Sequence, residues 1–251
     1  MTSSGSYDYG LYVDFMSQPS RACVILSRLN RLIVKENLVL IHKKQQKSDK
    51  YKKLNPLQQV PLFVESRGGR VDFVLPESCA ILTHLCTRFH LADHWYPRSR
   101  QGRAYVDSAL HWFHSTLRKG CGGVTFHKVV AYNLGVKPVE AIALDSKQRL
   151  ERALQQLEDY WLKGKTFVGG KEPNVADLLF VCELEQLHML HLPTDGIDID
   201  GILNPFPRVE AWMRDVAEAT SPVYEDVHKL LRYAAKKRHQ KLNQKKLKPK
   251  L

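Results

Sequence analysis

The chain has 251 residues, of which 43% are hydrophobic and 25% charged, and its formal net charge is +12. This length and composition are those of a folded protein with one large or two small domains. Five cysteines at irregular spacing, without a C-x-x-C pair, exclude a disulfide framework and a zinc site and favour a reducing compartment. The segment "MTSSGSYDYG" is unlike a secretion signal and no run approaches about 18 apolar residues, so we expect neither secretion nor a membrane span.

The positive charge is concentrated in two segments. Residues 236–251 contain eight Lys or Arg and no acidic residue, and residues 42–53 contain six Lys and one Asp. A nucleic-acid-binding domain usually spreads its basic residues over a folded face with interleaved aromatics. We therefore expect no nucleic-acid partner. Residues 236–251 are predicted to be a basic tail, either a solvated helix end or a contact for an anionic surface.

Residues 9–90 are predicted to form a small α/β domain. The runs "GLYVDF" and "VKENLVLI" flank a helix from Pro19 to Asn30. The runs "VPLFVE" and "RVDFVL" are separated by "SRGG", which is typical of a β-hairpin with a glycine turn. A helix from about Glu77 to Phe89 follows. This order, β-α-β and then β-β-α, indicates a mixed sheet.

Residues 98–235 are predicted to be all-helical. Residues 91–97, "LADHWYP", have the composition of a linker, and beyond them apolar residues recur at helical spacing. Asn174, with Asp177 three residues later, predicts a capping box at one helix start. The predicted fold class is therefore α/β plus all-α. The predicted helices are 101–119, 141–161, 173–187, 206–220 and 223–243.

Six short strings resemble, in order and spacing, the theta class of the soluble glutathione transferases: "YVDFMSQPSRA", "NPLQQVP", "PESCAIL", "ADHWYP", "HWFHSTLRKG" and "NVADL". The likeness covers roughly residues 9–233. It implies a thioredoxin-like N-terminal domain that binds glutathione and a helical-bundle C-terminal domain that supplies the second substrate's pocket. It also implies glutathione as a co-substrate, no permanently bound cofactor, and a homodimer.

Ser17 lies between the first predicted strand and the first predicted helix. One interpretation is structural, because serine commonly caps a helix start and Pro19 suits the first turn. The resemblance implies another, in which a theta-class serine donates a hydrogen bond to the glutathione sulfur and favours the thiolate. Lowering a thiol pKa by about two units requires about 2.7 kcal/mol. A charge-assisted hydrogen bond of about 1.5–3 kcal/mol, with help from the helix N-terminus, supplies it.

Glutathione has two carboxylates and one amine, so its site needs a strand edge, a helix N-terminus and cations. The resemblance implies that Val60 supplies the strand edge and that Pro61 matches the family's cis-proline. It places the γ-glutamyl group at the helix start formed by Glu77 and Ser78. The other implied glutathione contacts are Gln18, Gln46, Lys47 and Gln59.

Arg118 matches a theta-class arginine that adds positive charge near the sulfur, while a surface or interdomain arginine fits its position equally well. Trp112 and His114 lie on the same predicted helix and are expected to line the electrophile pocket, with core packing as the alternative for the tryptophan. Two departures from the family pattern affect the site. The hairpin before Glu77 is longer than usual, which predicts a longer loop or a bulge, and Pro76 removes a backbone donor.

Other function classes fit less well. Ser17 lacks the flanking glycines of a hydrolase nucleophile elbow. The histidines of "HWFH" and "HMLH" have no acidic or cysteine partner at ligand spacing, so no metal site is predicted. The remaining alternative to a transferase is a non-catalytic module of the same fold that binds a ligand or partner. For the enzyme, the expected second substrate is a small hydrophobic electrophile or an organic hydroperoxide, and the residues do not decide between them.

The expected location is the cytoplasm, and the sequence offers a peroxisomal alternative. The last three residues, Pro249, Lys250 and Leu251, resemble an import signal of the S-K-L type, although proline occupies the first position. This alternative implies a peroxisomal import receptor as a partner.

Overall fold

The protein is described by a computed structural model that covers residues 7–247. A four-stranded mixed sheet forms its first half, with strand order β2-β1-β3-β4. Strand β1 is parallel to β2 and antiparallel to β3, and β3 is antiparallel to β4. The strands are β1 (Tyr7–Val13), β2 (Lys35–Leu38), β3 (Leu62–Arg67) and β4 (Arg70–Pro76).

The side chains of the sheet alternate between two packed faces, as the period of a strand requires. Leu11 and Phe63 lie in the main core. Leu62 and Val64 instead pack with Tyr51 on the other face. The helices of this half are α1 (Gln18–Leu29), α2 (Asp49–Leu54) and α3 (Ser78–Arg88), with 3₁₀ turns at Ile41–Lys43 and Gln45–Lys47.

The long hairpin is built from longer strands rather than a longer loop. Gly68 and Gly69 form a two-residue turn with φ values of 57° and 80°, the left-handed conformation that such hairpin turns require. The pairing register shifts after Glu65, so the expected bulge is confirmed and the longer loop is wrong. Tyr7, the first described residue, pairs with Arg67 at the end of β3.

Strand β2 is shorter than the predicted run of residues 34–41. Beyond Leu38 the backbone leaves the strand, and the N–H of Ile41 donates to Asp14 Oδ2 at 2.7 Å. Lys44 then adopts a φ of 55° and turns the chain toward α2. The apolar run predicted a longer strand, but the N–H of Ile41 bonds to the Asp14 side chain instead of pairing with β1.

The second half is helical, and together the two halves confirm the predicted α/β plus all-α class. Two π-helical turns, Phe113–Leu117 and Phe126–Val130, join α4, α5 and α6 into one long helix, and a third, Leu157–Trp161, extends α7. A 3₁₀ turn at Gln186–Met189 extends α8. The helices are α4 (Arg100–Trp112), α5 (Arg118–Thr125), α6 (Ala131–Leu134), α7 (Glu140–Gln156), α8 (Val175–Glu185), α9 (Leu192–Asp195), α10 (Ile199–Leu203), α11 (Pro207–Ala219) and α12 (Val223–Leu247).

The helix predicted to end at Lys119 continues through α6, and its glycines have a packing role. A Cβ on Gly120 would lie 2.6 Å from the backbone nitrogen of Leu150, and one on Gly123 would lie 2.2 Å from Ser146 Oγ. These glycines therefore let α5 and α7 approach closely. They do not end the helix.

The predicted capping box at the start of α8 is confirmed. The Asn174 side chain accepts from the N–H of Asp177, and the Asp177 carboxylate accepts from the N–H of Asn174 at 2.9 Å. The same carboxylate accepts from the N–H of Val168 and from Trp212 Nε1. Asp177 thus satisfies donors from three segments of the helical half.

Helix α12 packs a buried histidine against α8 and α1. His228 Nδ1 donates to the carbonyl oxygen of Tyr224 at 2.9 Å, and its Nε2 is buried without a hydrogen-bond partner among the described residues. Burial lowers the pKa of His228 to about 4, with Arg21 acting in the same direction and Glu185 against it. His228 is therefore neutral in the folded protein at neutral pH.

Within residues 7–247, no helix has the length and apolar character that a bilayer span requires. The basic tail predicted at 236–251 begins inside α12, which is helical to Leu247. The three C-terminal residues of the peroxisomal prediction lie outside the described residues.

The first prediction concerns the α5–α7 contact. Gly120→Ala should lower the free energy of unfolding by about 2 kcal/mol, because its Cβ overlaps the backbone of α7. Gly122→Ala is the matched control, since its Cβ meets nothing closer than Glu183 Oε1 at 3.6 Å and alanine favours a helix by about 0.5–1 kcal/mol. Urea unfolding measures both variants. Equal effects would show that α5 and α7 are not in close contact.

The second prediction follows from the lowered pKa of His228. Below about pH 6.5 the unfolded chain gains a proton at this residue, whereas the folded protein does not until about pH 4. Stability contributed by the neutral histidine is therefore lost as pH falls through this window, by about 1.4 kcal/mol per pH unit. The fall in unfolding free energy from pH 7.5 to pH 5.5 should be smaller in His228→Gln by about 1 kcal/mol. This comparison cancels any destabilisation that is the same at both pH values. If the wild type and the variant lose the same unfolding free energy between the two pH values, the lowered pKa of His228 is contradicted.

Candidate active site

A cavity of about 810 Å³ lies between the two halves of the molecule, at the end of β1. Its lining comes from the β1–α1 corner, the segments before and after α2, the start of α3, and the long helix of α4 to α6. The structure thus brings together residues as far apart in the chain as Asp14 and Met189. The predicted site residues that line the cavity are Ser17, Gln18, Gln46, Gln59, Val60, Pro61, Glu77, Ser78, His114 and Arg118.

The structure does not bring Lys47 and Trp112 to the cavity lining. Trp112 Nε1 donates to Gln156 Oε1 at 2.7 Å, and its ring packs against Trp161 and Phe180. Residues two positions apart on a helix point about 200° apart, so Trp112 and His114 cannot both face the cavity. The expectation that Trp112 lines the pocket is corrected, and it takes the packing role that was its alternative.

Asp14 fixes the corner that carries Ser17. Its carboxylate is buried and accepts from the N–H of Met16 at 2.8 Å and from the N–H of Ile41 at 2.7 Å. Its carbonyl oxygen accepts from the N–H of Ser17 at 2.9 Å. Two backbone segments of the cavity wall are therefore held by one side chain, which sequence analysis did not identify.

The hydroxyl of Ser17 does not cap helix α1. Ser17 occupies the N-cap position with φ −87° and ψ 120°, but its side chain makes no capping hydrogen bond. Four other polar N-cap residues in this chain do accept from a backbone N–H of their own helix: Ser48, Ser99, Asn174 and Asp198. The structural interpretation of Ser17 is therefore not supported, and its hydroxyl lines the cavity.

Two helix starts reach the cavity without side-chain caps. Helix α1 has Pro19 in its first turn, and α3 begins after Glu77, which does not cap it and has a φ of 70°. The first N–H groups of a helix have no partner within the helix and attract anions. A ligand with an anionic group is favoured at both places. The left-handed backbone of Glu77 is also the kind of strain that collects at functional sites.

The segment before β3 presents backbone to the cavity. Val60 precedes the first paired residue of β3, Leu62, so it lies outside the ladder. The Val60–Pro61 peptide bond is cis, as the resemblance implied. The carbonyl oxygen of Gln59 accepts from Tyr51 Oη at 2.7 Å, which fixes the segment from the side of α2.

Gln46 has a buried side-chain oxygen, Oε1, that has no hydrogen-bond partner among residues 7–247. A buried acceptor without a donor is costly, and this one belongs to a residue that lines the cavity. A donor on a ligand would satisfy it. His42 and Gln58 line the same part of the cavity and were not predicted. Their positions depend on the turns around α2, which the sequence does not specify.

Arg118 reaches the cavity from the long helix and is held by a buried acid. Its Nη1 donates to Glu183 Oε2 at 2.6 Å, and its side chain is 35% exposed whereas that of Glu183 is fully buried. Burial raises the pKa of Glu183, and the Arg118 charge acts against that rise. Gln18 Nε2 donates to the other oxygen of this carboxylate at 3.3 Å.

A buried arginine on α1 ties the same corner to α8. Arg21 Nη1 donates to the carbonyl oxygen of Phe15 at 3.0 Å, and Nη2 donates to Cys182 O at 2.8 Å and to Gln186 Oε1 at 3.0 Å. Burial lowers the pKa of Arg21, and the neighbouring acids act against that fall. The position of Ser17 therefore depends on packing between the two halves.

The sequence matches two domains of one family. Residues 9–87 match the glutathione S-transferase N-terminal domain, and residues 108–219 match the glutathione S-transferase C-terminal domain. Glutathione S-transferase T1 of Arabidopsis thaliana is 38% identical over 88% of this chain and 88% of its own length. The chain belongs to the theta-class glutathione S-transferases.

Other relatives agree with this membership. Glutathione S-transferase T2 of Arabidopsis thaliana is 39% identical over 92% of this chain, which spans only 38% of that relative's length. A crystal structure of human glutathione transferase theta-2 in complex with glutathione superposes with a TM-score of 0.81 at 28% identity, covering 93% of this chain and 91% of the human one. The glutathione transferase fold, with a thioredoxin-like first half and a helical second half, is thereby confirmed.

The wall of the cavity that the second half of the long helix supplies is apolar. Its residues follow Lys119, where the predicted helix ended, and so they were not identified. Their helical spacing in "FHKVVAYNL" is a signal that could have found them. They are Phe126, Val129, Val130 and Leu134, with Met189 from the turn after α8.

Burial disfavours the thiolate form of the cysteines. Cys79 follows Ser78 at the start of α3, and burial raises its pKa to about 11, with Glu77 acting in the same direction. Burial also raises the pKa of the other four thiols. In residues 7–247 no group of three or more His, Cys, Asp or Glu side chains is arranged to hold a metal ion.

Proposed function

We propose that the protein is a glutathione transferase in which Ser17 donates a hydrogen bond to the sulfur of glutathione and stabilises the thiolate. The observation that supports this most directly is the hydroxyl of Ser17, which lies at the start of α1 on the cavity and caps no helix. The family relationship and the glutathione in the human theta-2 structure support the identity of the ligand.

The cavity offers glutathione the groups that its chemistry requires. The uncapped start of α3 at Glu77 and Ser78 suits the γ-glutamyl carboxylate, and the acid of Glu77 suits its ammonium. The backbone of Val60, outside the ladder, suits the cysteinyl backbone. The unpartnered oxygen of Gln46 suits an N–H near the glycyl end. Lys47 is exposed beside it and stays a predicted contact for the glycyl carboxylate.

The thiolate is stabilised by neutral and charged donors together. The Ser17 hydroxyl, the N-terminus of α1 and the Arg118 guanidinium all favour the anion. With an electrophile in the apolar part of the cavity, the sulfur forms a bond to the electrophilic carbon and the leaving group departs with its electron pair. His114 lines the same cavity.

A hydroperoxide is the second candidate substrate. The thiolate attacks one oxygen of the O–O bond, which breaks to release an alkoxide that takes a proton and leaves as an alcohol. The glutathione sulfenic acid then condenses with a second glutathione to give the disulfide and water. The apolar wall suits the organic part of either substrate, so both reactions are part of the proposal.

The third prediction tests the role of Ser17. Ser17→Ala should reduce kcat by about 10- to 100-fold and raise the pKa of bound glutathione, because one hydrogen bond to the anion is lost. The thiolate absorbance of the bound ligand is titrated, and turnover is measured with cumene hydroperoxide and with an aryl halide.

Ser27→Ala is the control, because Ser27 is also buried on α1 and its hydroxyl has no hydrogen-bond partner among the described residues. It should keep wild-type kinetics. Unchanged turnover in Ser17→Ala would reject the assignment, and a wild-type protein inactive with both substrates would favour the non-catalytic binding module.

We also propose that the protein forms a homodimer. Strand β4 is an edge strand of the sheet, and its Val71 and Phe73 are exposed. Exposed apolar side chains on a sheet edge favour an interface. The motif resemblance also implies a homodimer.

The fourth prediction concerns this interface. Sedimentation of the wild type should give a species of twice the 28.9 kDa chain mass. Phe73→Asp should shift it toward the monomer, because a charge is placed in the apolar contact. Leu192→Asp changes an exposed leucine on α9 in the same way and should leave the dimer intact. A wild-type species of 28.9 kDa alone would overturn the proposal.

The cytoplasm stays the proposed location, and the C-terminal Pro-Lys-Leu keeps the peroxisome as the alternative. A fluorescent protein fused to the N-terminus, with the C-terminus free, distinguishes the two by a diffuse or a punctate distribution.

A further inference from the structure

Glu183 is a buried carboxylate that touches the cavity only through its partners. It lies on α8, in the helical half, and is fully buried. Its Oε2 accepts from Arg118 Nη1 at 2.6 Å, and its Oε1 accepts from Gln18 Nε2 at 3.3 Å. Gln18 and Arg118 both line the cavity, and Glu183 is not among its lining residues. One carboxylate therefore joins two cavity residues from different halves of the molecule.

An ionised carboxylate accepts hydrogen bonds and donates none. Gln18 must therefore turn its NH₂ group toward Glu183, which leaves its Oε1 as an acceptor for a ligand beside Ser17. Arg118 likewise commits one N–H to Glu183, and the rest of its guanidinium stays available as donors. The short distance of 2.6 Å is that of a charge-assisted hydrogen bond. Glu183 thus decides which polar groups these two side chains can offer.

We propose that Glu183 is a positioning residue that orients Gln18 and Arg118 toward glutathione in the cavity that Ser17 also lines. The proposal rests on the transferase function proposed above and adds a residue outside the cavity to its machinery. No resemblance of motifs indicated this residue, because its role depends on a contact between α8 and the start of α1.

The same helix provides a matched control. Glu185 lies two residues further along α8 and is also buried, at 4% exposure. Its Oε1 accepts from Tyr224 Oη at 2.8 Å and from Arg232 Nη2 at 3.2 Å, both on α12. Replacing either acid by glutamine removes one buried charge from α8. Only the change at position 183 alters groups that line the cavity.

The fifth prediction compares these two variants. Glu183→Gln should raise the KM for glutathione about tenfold, because an amide NH₂ at this position opposes the NH₂ of Gln18 and forces one of the two to turn. Glu185→Gln should keep KM within about twofold, even where its stability falls. If Glu183→Gln does not fold, Glu183→Asp keeps the charge on a shorter side chain and should show an intermediate KM. An unchanged KM in the folded variant would overturn the proposal.

A double-mutant cycle separates positioning from a general structural effect. Gln18→Ala removes one group through which Glu183 acts, so adding Glu183→Gln should raise KM less in that background than in the wild type. Glu185→Gln should have the same effect in both backgrounds. If the effects of Gln18→Ala and Glu183→Gln on KM are strictly additive, the positioning role of Glu183 is overturned while the transferase function stands. A wild type without glutathione-dependent turnover would overturn the transferase function, and this inference with it.

Discussion

The buried guanidinium of Arg21 is the interaction on which the site depends. It holds the carbonyl oxygen of Phe15 in the corner before α1 and, at the same time, the carbonyl oxygen of Cys182 and the side chain of Gln186 on the helical half. A buried charge is costly unless its donors are used, and here Nη1 and Nη2 are used while Nε has no partner among the described residues. The bonds of Nη1 and Nη2 hold the corner against the helical half. The Ser17 hydroxyl, the start of α1 and the cavity all follow from that arrangement.

Much of the fold could be predicted because local signals agreed with it. The capping box at Asn174, helix α1 and the starts of the periodic helices lie where the pattern placed them within a few residues. The errors arose where a distant segment decided the outcome. Asp14 ended β2 through a hydrogen bond across the site, and the close approach of α7 turned the glycines after Lys119 into packing residues rather than a helix end.

The site could be predicted only in part, for a related reason. Motif resemblance located the residues at helix starts and on the strand edge, since their backbone conformation fixes where they point. It could not show that the Ser17 hydroxyl is unused by its helix, because that depends on a side-chain contact. It also misplaced Trp112, whose face of the helix is set by packing on Phe180. Glu183 and the apolar wall were also missed, because their roles in the site depend on tertiary contacts.

The raised pKa values of the thiols have a further consequence for the chemistry of the chain. Every cysteine carries a pKa raised by burial, including the half-buried Cys79 next to Ser78. Soft electrophiles alkylate sulfur in its anionic form, so the raised pKa values make the protein's own sulfurs slow to react. In the proposed reaction, the thiolate of glutathione would then be the reactive sulfur in the cavity. The burial that fills the core therefore also lowers the reactivity of the chain's own cysteines.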